Sequence, residues 1–148
     1  MIIGLDTYGE SMTLRVLSID DDPAMTELLA LLLLTHGYEP LTANTSEDGI
    51  KSIRETSPDV VILDLMMPEM DGWQVCAEVR KFSTVPILIL SALDNPGLVA
   101  SALDAGADDY LVKPVPSGVL MAHLNQLTRR SDMNHGGKST QQGAPFLA

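Results

Sequence analysis

Residues Pro58 to Gly72 read PDVVILDLMMPEMDG. Val60, Val61, Ile62 and Leu63 form an unbroken apolar run, rich in β-branched residues and too short for a comfortable helix. Such a run predicts a strand buried on both faces, as in a parallel sheet. It ends at Asp64. Open α/β sheets bind ligands at the carboxyl ends of their strands, so an acid at this point stands where chemistry is done. Pro68 and Gly72 then mark a tight loop. A carboxylate at a strand tip, before a constrained loop, can hold a metal or accept a phosphoryl group. It can equally well cap the helix that follows.

Working outward, the same strand-then-helix rhythm repeats along the chain. Arg15 to Ile19 (RVLSI) predicts a first strand, with Ser18 its odd polar member, running into Asp20, Asp21 and Asp22. Asp22 followed by Pro23 is a helix start, an acceptor at the N-cap and proline in the first turn. That helix is expected to reach about His36 and stop at Gly37. Glu39 to Ala43 is a second strand, and Thr45 or Ser46 opens a helix ending near Thr56. After Asp64 the spacing predicts helix over Gly72 to Lys81, strand over Ile87 to Leu90 ending at Ser91, and helix over Gly97 to Ala105. Tyr110 to Val112 is a last short strand ending at Lys113 and Pro114, and Ser117 to about Arg130 a last helix. Each crossover is long enough to carry a helix, which implies parallel strands in right-handed βαβ units. Residues 1–13 read as a loose extension, 14–130 as one domain, and 131–148 as a disordered tail or linker, polar and without periodicity.

Composition narrows the class. A chain of 148 residues, 45% hydrophobic and 20% charged, suits one soluble globular domain. A formal net charge of -11 makes it a poor ligand for nucleic acid through its general field and a better one for cations or a basic partner. Cys76 is the single cysteine, so no internal disulfide forms and a reducing interior suits the chain. Neither a signal peptide nor a membrane span is read, and a cytoplasmic location is expected.

In a parallel sheet all strand tips share one edge. That edge collects Asp20 and Asp21 from the first strand, Asp64 from the third, Ser91 from the fourth and Lys113 from the fifth. Crowded acids raise one another's pKa values unless a cation offsets them. A hard, oxygen-ligated ion, Mg²⁺ above all, is the natural offset, and it suits phosphoryl transfer. Lys113 could hold a phosphoryl oxygen, Ser91 could donate to another, and Asp64 could be the nucleophile. Taken singly, the acids are a solvated cap cluster, Ser91 a turn residue and Lys113 a surface lysine. Taken together at strand tips they are not.

On these residues the chain resembles a receiver domain of a two-component response regulator. The likeness covers roughly Leu14 to Arg130 and rests on Asp20/Asp21, Asp64 in DVVILDLMMPEMDG, Ser91 in ILILSA and Lys113 in AGADDYLVKP. It implies a flavodoxin-like, doubly wound α/β domain, a five-stranded parallel sheet in order 2-1-3-4-5 with five helices. It implies Mg²⁺-dependent phosphorylation of Asp64 by a histidine kinase or phosphotransfer protein, with the chain acting only on itself and not as an enzyme on other substrates. The metal would be held by Asp21, Asp64 and the backbone carbonyl of Met66, with Asp20 acting through water. Ser91 and Tyr110 would be the switch pair, and the Lys113–Pro114 bond would be cis.

The segment GADDYLVKP resembles receivers that carry a winged-helix DNA-binding domain and dimerise through charged residues of the last two helices. Here His123, Val119 and Ser101 stand at those positions, so the ionic set is largely missing. No helix-turn-helix, wing or catalytic domain is read in the residues that follow, and direct DNA binding by this chain is not expected. One competing reading is an aspartate-nucleophile phosphatase of the haloacid-dehalogenase type. Its nucleophile would lie on the first strand, where this chain has IDDDP. Another is a receiver-like module that no longer takes phosphate, which the intact acids, Ser91 and Lys113 oppose. In the first helix, Met25, Leu28, Leu29 and Leu32 are expected to face the core. Leu31 and Leu34 are expected to be partly exposed, either as a contact for a kinase or for a second copy in a homodimer, or else packed against the neighbouring fifth helix.

Overall fold

A computed structural model describes residues 13–136, with side chains described as far as Arg129. Val60–Leu63 is strand β3, and all four residues are buried, as an unbroken apolar run demands. Around it lie β1 (Arg15–Ile19), β2 (Glu39–Ala43), β4 (Ile87–Ser91) and β5 (Asp109–Val112). The sheet order is β2-β1-β3-β4-β5 and every pairing is parallel. The helices are α1 (Pro23–Thr35), α2 (Ser46–Thr56), α3 (Gly72–Arg80), α4 (Pro96–Asp104) and α5 (Ser117–Gly136). The expected doubly wound α/β fold is the one observed.

Strand residues alternate between two cores. Leu17, Ile19, Val61, Leu63, Ile87 and Ile89 join Ile53 of α2 and Val75, Cys76 and Val79 of α3 on one face. Val16, Val60, Ile62, Leu88 and Leu90 meet Leu29 and Leu33 of α1 and Leu120, Leu124 and Leu127 of α5 on the other. Cys76 is fully buried, and burial pushes its thiol up to about 11. Helix starts follow the sequence signals. Asp22, Thr45, Asp71 and Asn95 cap α1 to α4, and Asp71 forms a reciprocal capping box with Gln74. Gly37, at φ +87°, ends α1 in a conformation that glycine adopts without penalty.

Two expectations change. The buried stripe of α1 is Thr26, Leu29 and Leu33, whereas Leu28 is 60% exposed. Thr26 holds a core-facing position because its hydroxyl bonds the Pro23 carbonyl and accepts from Asn44, so it enters the interior satisfied. Six leucines between residues 28 and 34 left the phase of the helix open, and Thr26 decides it. At the other end, α5 continues to Gly136, beyond the boundary expected at Arg130. No proline interrupts Ser117 to Gly136, and the Gly136–Gly137 pair is the first strong breaker after Gly118. The extension 1–12 and the rest of the tail, 137–148, lie outside the described residues.

Candidate functional site

The strand register brings the tips to one level. Ile19 pairs with Leu63 and Leu63 with Ile89, while Ser91 pairs with Val112. Backbone bonds carry the ladder past the ends: Asp20 N–H to the Ala43 carbonyl at 3.1 Å, Asp64 N–H to Ile19 at 3.0 Å, and Lys113 N–H to Ser91 at 2.8 Å. Each functional residue is thus fixed by its own main chain before its side chain makes any contact.

The three consecutive aspartates take separate roles. Asp20 is 5% exposed. Its Oδ1 accepts the Asp22 N–H at 3.0 Å and its Oδ2 accepts Lys113 Nζ at 3.2 Å. Asp21 is exposed, and Asp22 is the α1 cap, accepting the Ala24 N–H at 3.0 Å. Carboxylate oxygens of Asp20, Asp21 and Asp64 all lie within 4.8 Å of one another. The Lys113 ammonium pairs with Asp20 and acts on Asp64. Burial raises the Asp64 pKa above its usual range, and Asp20 adds to the rise; Lys113, the Met66 backbone N–H and the Ser91 hydroxyl oppose it. Three hard oxygen donors with a surplus of negative charge fit a divalent cation of the Mg²⁺ class.

The site is framed by its loops. Gly72 packs so closely on the loop that a Cβ there would lie 2.7 Å from Leu65 Cα and 2.9 Å from the Asp64 carbonyl oxygen. The Gly72 N–H donates to the Leu65 carbonyl at 2.9 Å, so the chain folds back onto the strand tip. Ser46 on α2 donates to the Met70 carbonyl at 2.5 Å and pins the loop from the side. On the β4 side, Ser91 is fully buried and its Oγ accepts the Leu93 N–H at 3.3 Å. The Tyr110 hydroxyl donates to the Leu93 carbonyl at 2.6 Å. Burial raises the Tyr110 pKa, with the Ser91 hydroxyl opposing. Ser91 and Tyr110 therefore meet at Leu93, and the Lys113–Pro114 bond is cis as expected.

Asp20, Asp21, Asp64, Ser91 and Lys113, expected at the strand tips, meet at this edge, with Tyr110 bonded beside them at Leu93. Asn44 had been missed: its side-chain amide donates to the Asp20 carbonyl at 2.8 Å and to Thr26 at 3.0 Å, tying the β2 tip to the acidic loop. Its place at the end of β2 was the available signal. Away from the edge, His123 pairs with Asp109 at 2.5 Å, joining α5 to β5 at a position where the sequence lacks the expected ionic residue.

Among the described residues no helix is long and apolar enough to cross a membrane. Residues 16–125 match the family described as the response regulator receiver domain. The transcriptional regulatory protein AfsQ1 of Streptomyces coelicolor is 41% identical over 79% of this chain and 52% of its own length. The DNA-binding response regulator MtrA of Mycolicibacterium smegmatis is 37% identical over 83% of this chain and 54% of its own. The chain therefore spans about half the length of these curated relatives. A solved receiver domain, that of the Francisella response regulator 1452, superposes with a TM-score of 0.76 at 31% identity, covering 80% of this chain and 99% of that one. With the strand order, the acidic strand tips and these likenesses in agreement, the chain belongs to the receiver domains of two-component response regulators.

Proposed function

We propose that Asp64 accepts a phosphoryl group from a histidine kinase or phosphotransfer protein and that the group's arrival resets the face around Ser91 and Tyr110. The convergence of Asp20, Asp21 and Asp64 within 4.8 Å, with Lys113 beside them, is the observation that carries this reading. An Asp64 oxygen attacks phosphorus as the bond to the donor nitrogen breaks, leaving an acyl phosphate on the protein. Asp21, Asp64 and the Met66 carbonyl would ligate Mg²⁺, with Asp20 acting through water. The ion, when bound, offsets charge on the transferring oxygens. Lys113 holds a phosphoryl oxygen as a point charge, and the Ser91 hydroxyl donates to another. Once Ser91 turns to the phosphoryl group, its bond to Leu93 is released, and Tyr110 follows the loop.

The phosphatase alternative would place the nucleophile on β1. Asp20, the buried acid there, has one oxygen on Lys113 and the other on the Asp22 N–H, whereas Asp64 is only partly buried; this favours Asp64. We assign the described residues a switch role in the cytoplasm, without direct DNA contact, consistent with a net charge of -11. Labelling with a small phosphodonor and Mg²⁺ tests the proposal. Asp64→Asn is expected to abolish the label and Asp21→Ala to weaken Mg²⁺ binding. A label that survives in Asp64→Asn refutes the assignment.

A further inference from the structure

Three of the eight methionines fall in the loop after Asp64, and their sulfurs are placed differently. Met67 is 7% exposed, and its Sδ lies 4.0 Å from the Ser46 hydroxyl. Met70 is partly buried against the core, as is Met25, and Met121 is buried. Met66 is 58% exposed, the one exposed methionine among the described side chains. Its backbone N–H faces the Asp64 carboxylate two residues earlier in the chain, while its side chain is open to solvent. Of the residues around Asp64, Ser91 is fully buried and Asp20 nearly so, whereas Asp21 and Met66 are exposed.

We infer that Met66 is an oxidation site whose sulfoxide shortens the lifetime of the phosphoryl group on Asp64. The inference rests on Asp64 being the phospho-acceptor. Exposure decides which thioether a small peroxide reaches, and burial protects Met67 and Met121. The Met66 sulfur attacks the peroxide oxygen and the O–O bond breaks. One oxygen stays on sulfur and the other leaves as water, so sulfur loses two electrons and the peroxide gains them. A thioether is a weak acceptor and holds water poorly. A sulfoxide oxygen is a strong one, and at this exposed position it retains and orients a water toward phosphorus. Water oxygen then bonds to phosphorus, the bond to Asp64 breaks, and the carboxylate departs. One added hydrogen bond to the attacking water corresponds to about fivefold in rate, the equivalent of ~1 kcal/mol.

The test treats the full chain with hydrogen peroxide, then phosphorylates it with a small phosphodonor and Mg²⁺. Mass spectrometry reports the sulfoxide fraction at each methionine, and decay of the label reports the lifetime. Decay is expected to quicken about fivefold in proportion to Met66 sulfoxide, and to recover after treatment with methionine sulfoxide reductases. Met66→Leu, compared with itself before and after peroxide, is expected to show no change, and Met66→Gln to decay quickly without peroxide. Full oxidation at Met66 with unchanged decay overturns the inference. So does a Met66→Leu protein that responds to peroxide as strongly as the parent. A parent chain that takes no label before oxidation overturns the phospho-acceptor reading, and this inference with it.

Discussion

Asp64→Asn should make the protein more stable while removing its proposed activity. The change deletes one charge from a cluster of three carboxylates and one ammonium. At separations of up to 4.8 Å, and an effective dielectric constant of about 20, one like-charge pair costs about 3.5 kcal/mol. For Asp64 the burial of its charge weighs most; the attraction to Lys113 outweighs the repulsion from Asp20, and the net penalty is smaller than one such pair. Asp21 is exposed and the Lys113 side chain is 23% exposed, so solvent screens much of it. The remaining gain is about 1–2 kcal/mol, or a rise in Tm of about 5 °C for a domain of this size.

The pH dependence gives the argument its sign. Burial, with Asp20 second, raises the Asp64 pKa above its ordinary value of 3.8. The folded protein therefore holds this proton to higher pH than the unfolded chain does. Between the two values the folded state binds more protons, and stability falls as pH rises. The penalty is fully present at neutral pH and vanishes as pH drops below the ordinary carboxylate value. The advantage of Asp64→Asn should shrink on acidification, and Mg²⁺ should stabilise the parent chain more than the variant. Thermal melts with and without Mg²⁺, at neutral and mildly acidic pH, measure all of this. An Asp64→Asn protein that melts at or below the parent at neutral pH without Mg²⁺ refutes the reasoning. A gap that widens on acidification does so too.

The two faces of α1 should separate by stability. Leu33→Ala should cost about 3 kcal/mol and Leu34→Ala under about 1 kcal/mol, read from urea unfolding, because Leu33 is fully buried and Leu34 is 57% exposed. Arg80→Ala should cost about 2 kcal/mol by the same assay, since its guanidinium bonds the Gly106 and Ser83 carbonyls and the Asp108 carboxylate. The phosphoryl group should be long-lived, because Met66 and Leu93, two residues after Asp64 and after Ser91, are apolar and cannot orient a water; Met66→Asn with Leu93→Glu should speed label decay, and an unchanged rate would refute that account. Leu31→Lys with Leu34→Glu should leave the fold intact and slow kinase-driven transfer, with small-phosphodonor labelling as the control for an intact site.

The fold was legible because buried parallel strands and capped helices write themselves in different residue types. VVIL and ILIL admit a strand more readily than a helix, and Asp22–Pro23 announces a helix start. The phase of α1 was not legible. A helix with leucine at six of seven consecutive positions carries almost no amphipathic signal, and the residue that fixes it, Thr26, is polar. Its burial depends on Asn44, eighteen residues away, and no local pattern announces that bond.

The site divides along the same line. Which residues reach the edge follows from topology alone, since a parallel sheet sends every strand tip to one side. What each group does there depends on contacts between tips. Asp20 and Asp21 are adjacent and chemically identical, yet the first is locked between Lys113 and the Asp22 N–H while the second is exposed. In the proposed Mg²⁺ site that asymmetry would give them different parts. Asp21 can turn its carboxylate to an ion at little cost, whereas Asp20 would have to give up a buried bond and so reaches the ion best through water. Loss of Asp21 should therefore weaken Mg²⁺ binding with little change in stability. Loss of Asp20 should also free Lys113 from its partner and leave the Asp22 N–H unpaired, so it should destabilise the fold as well.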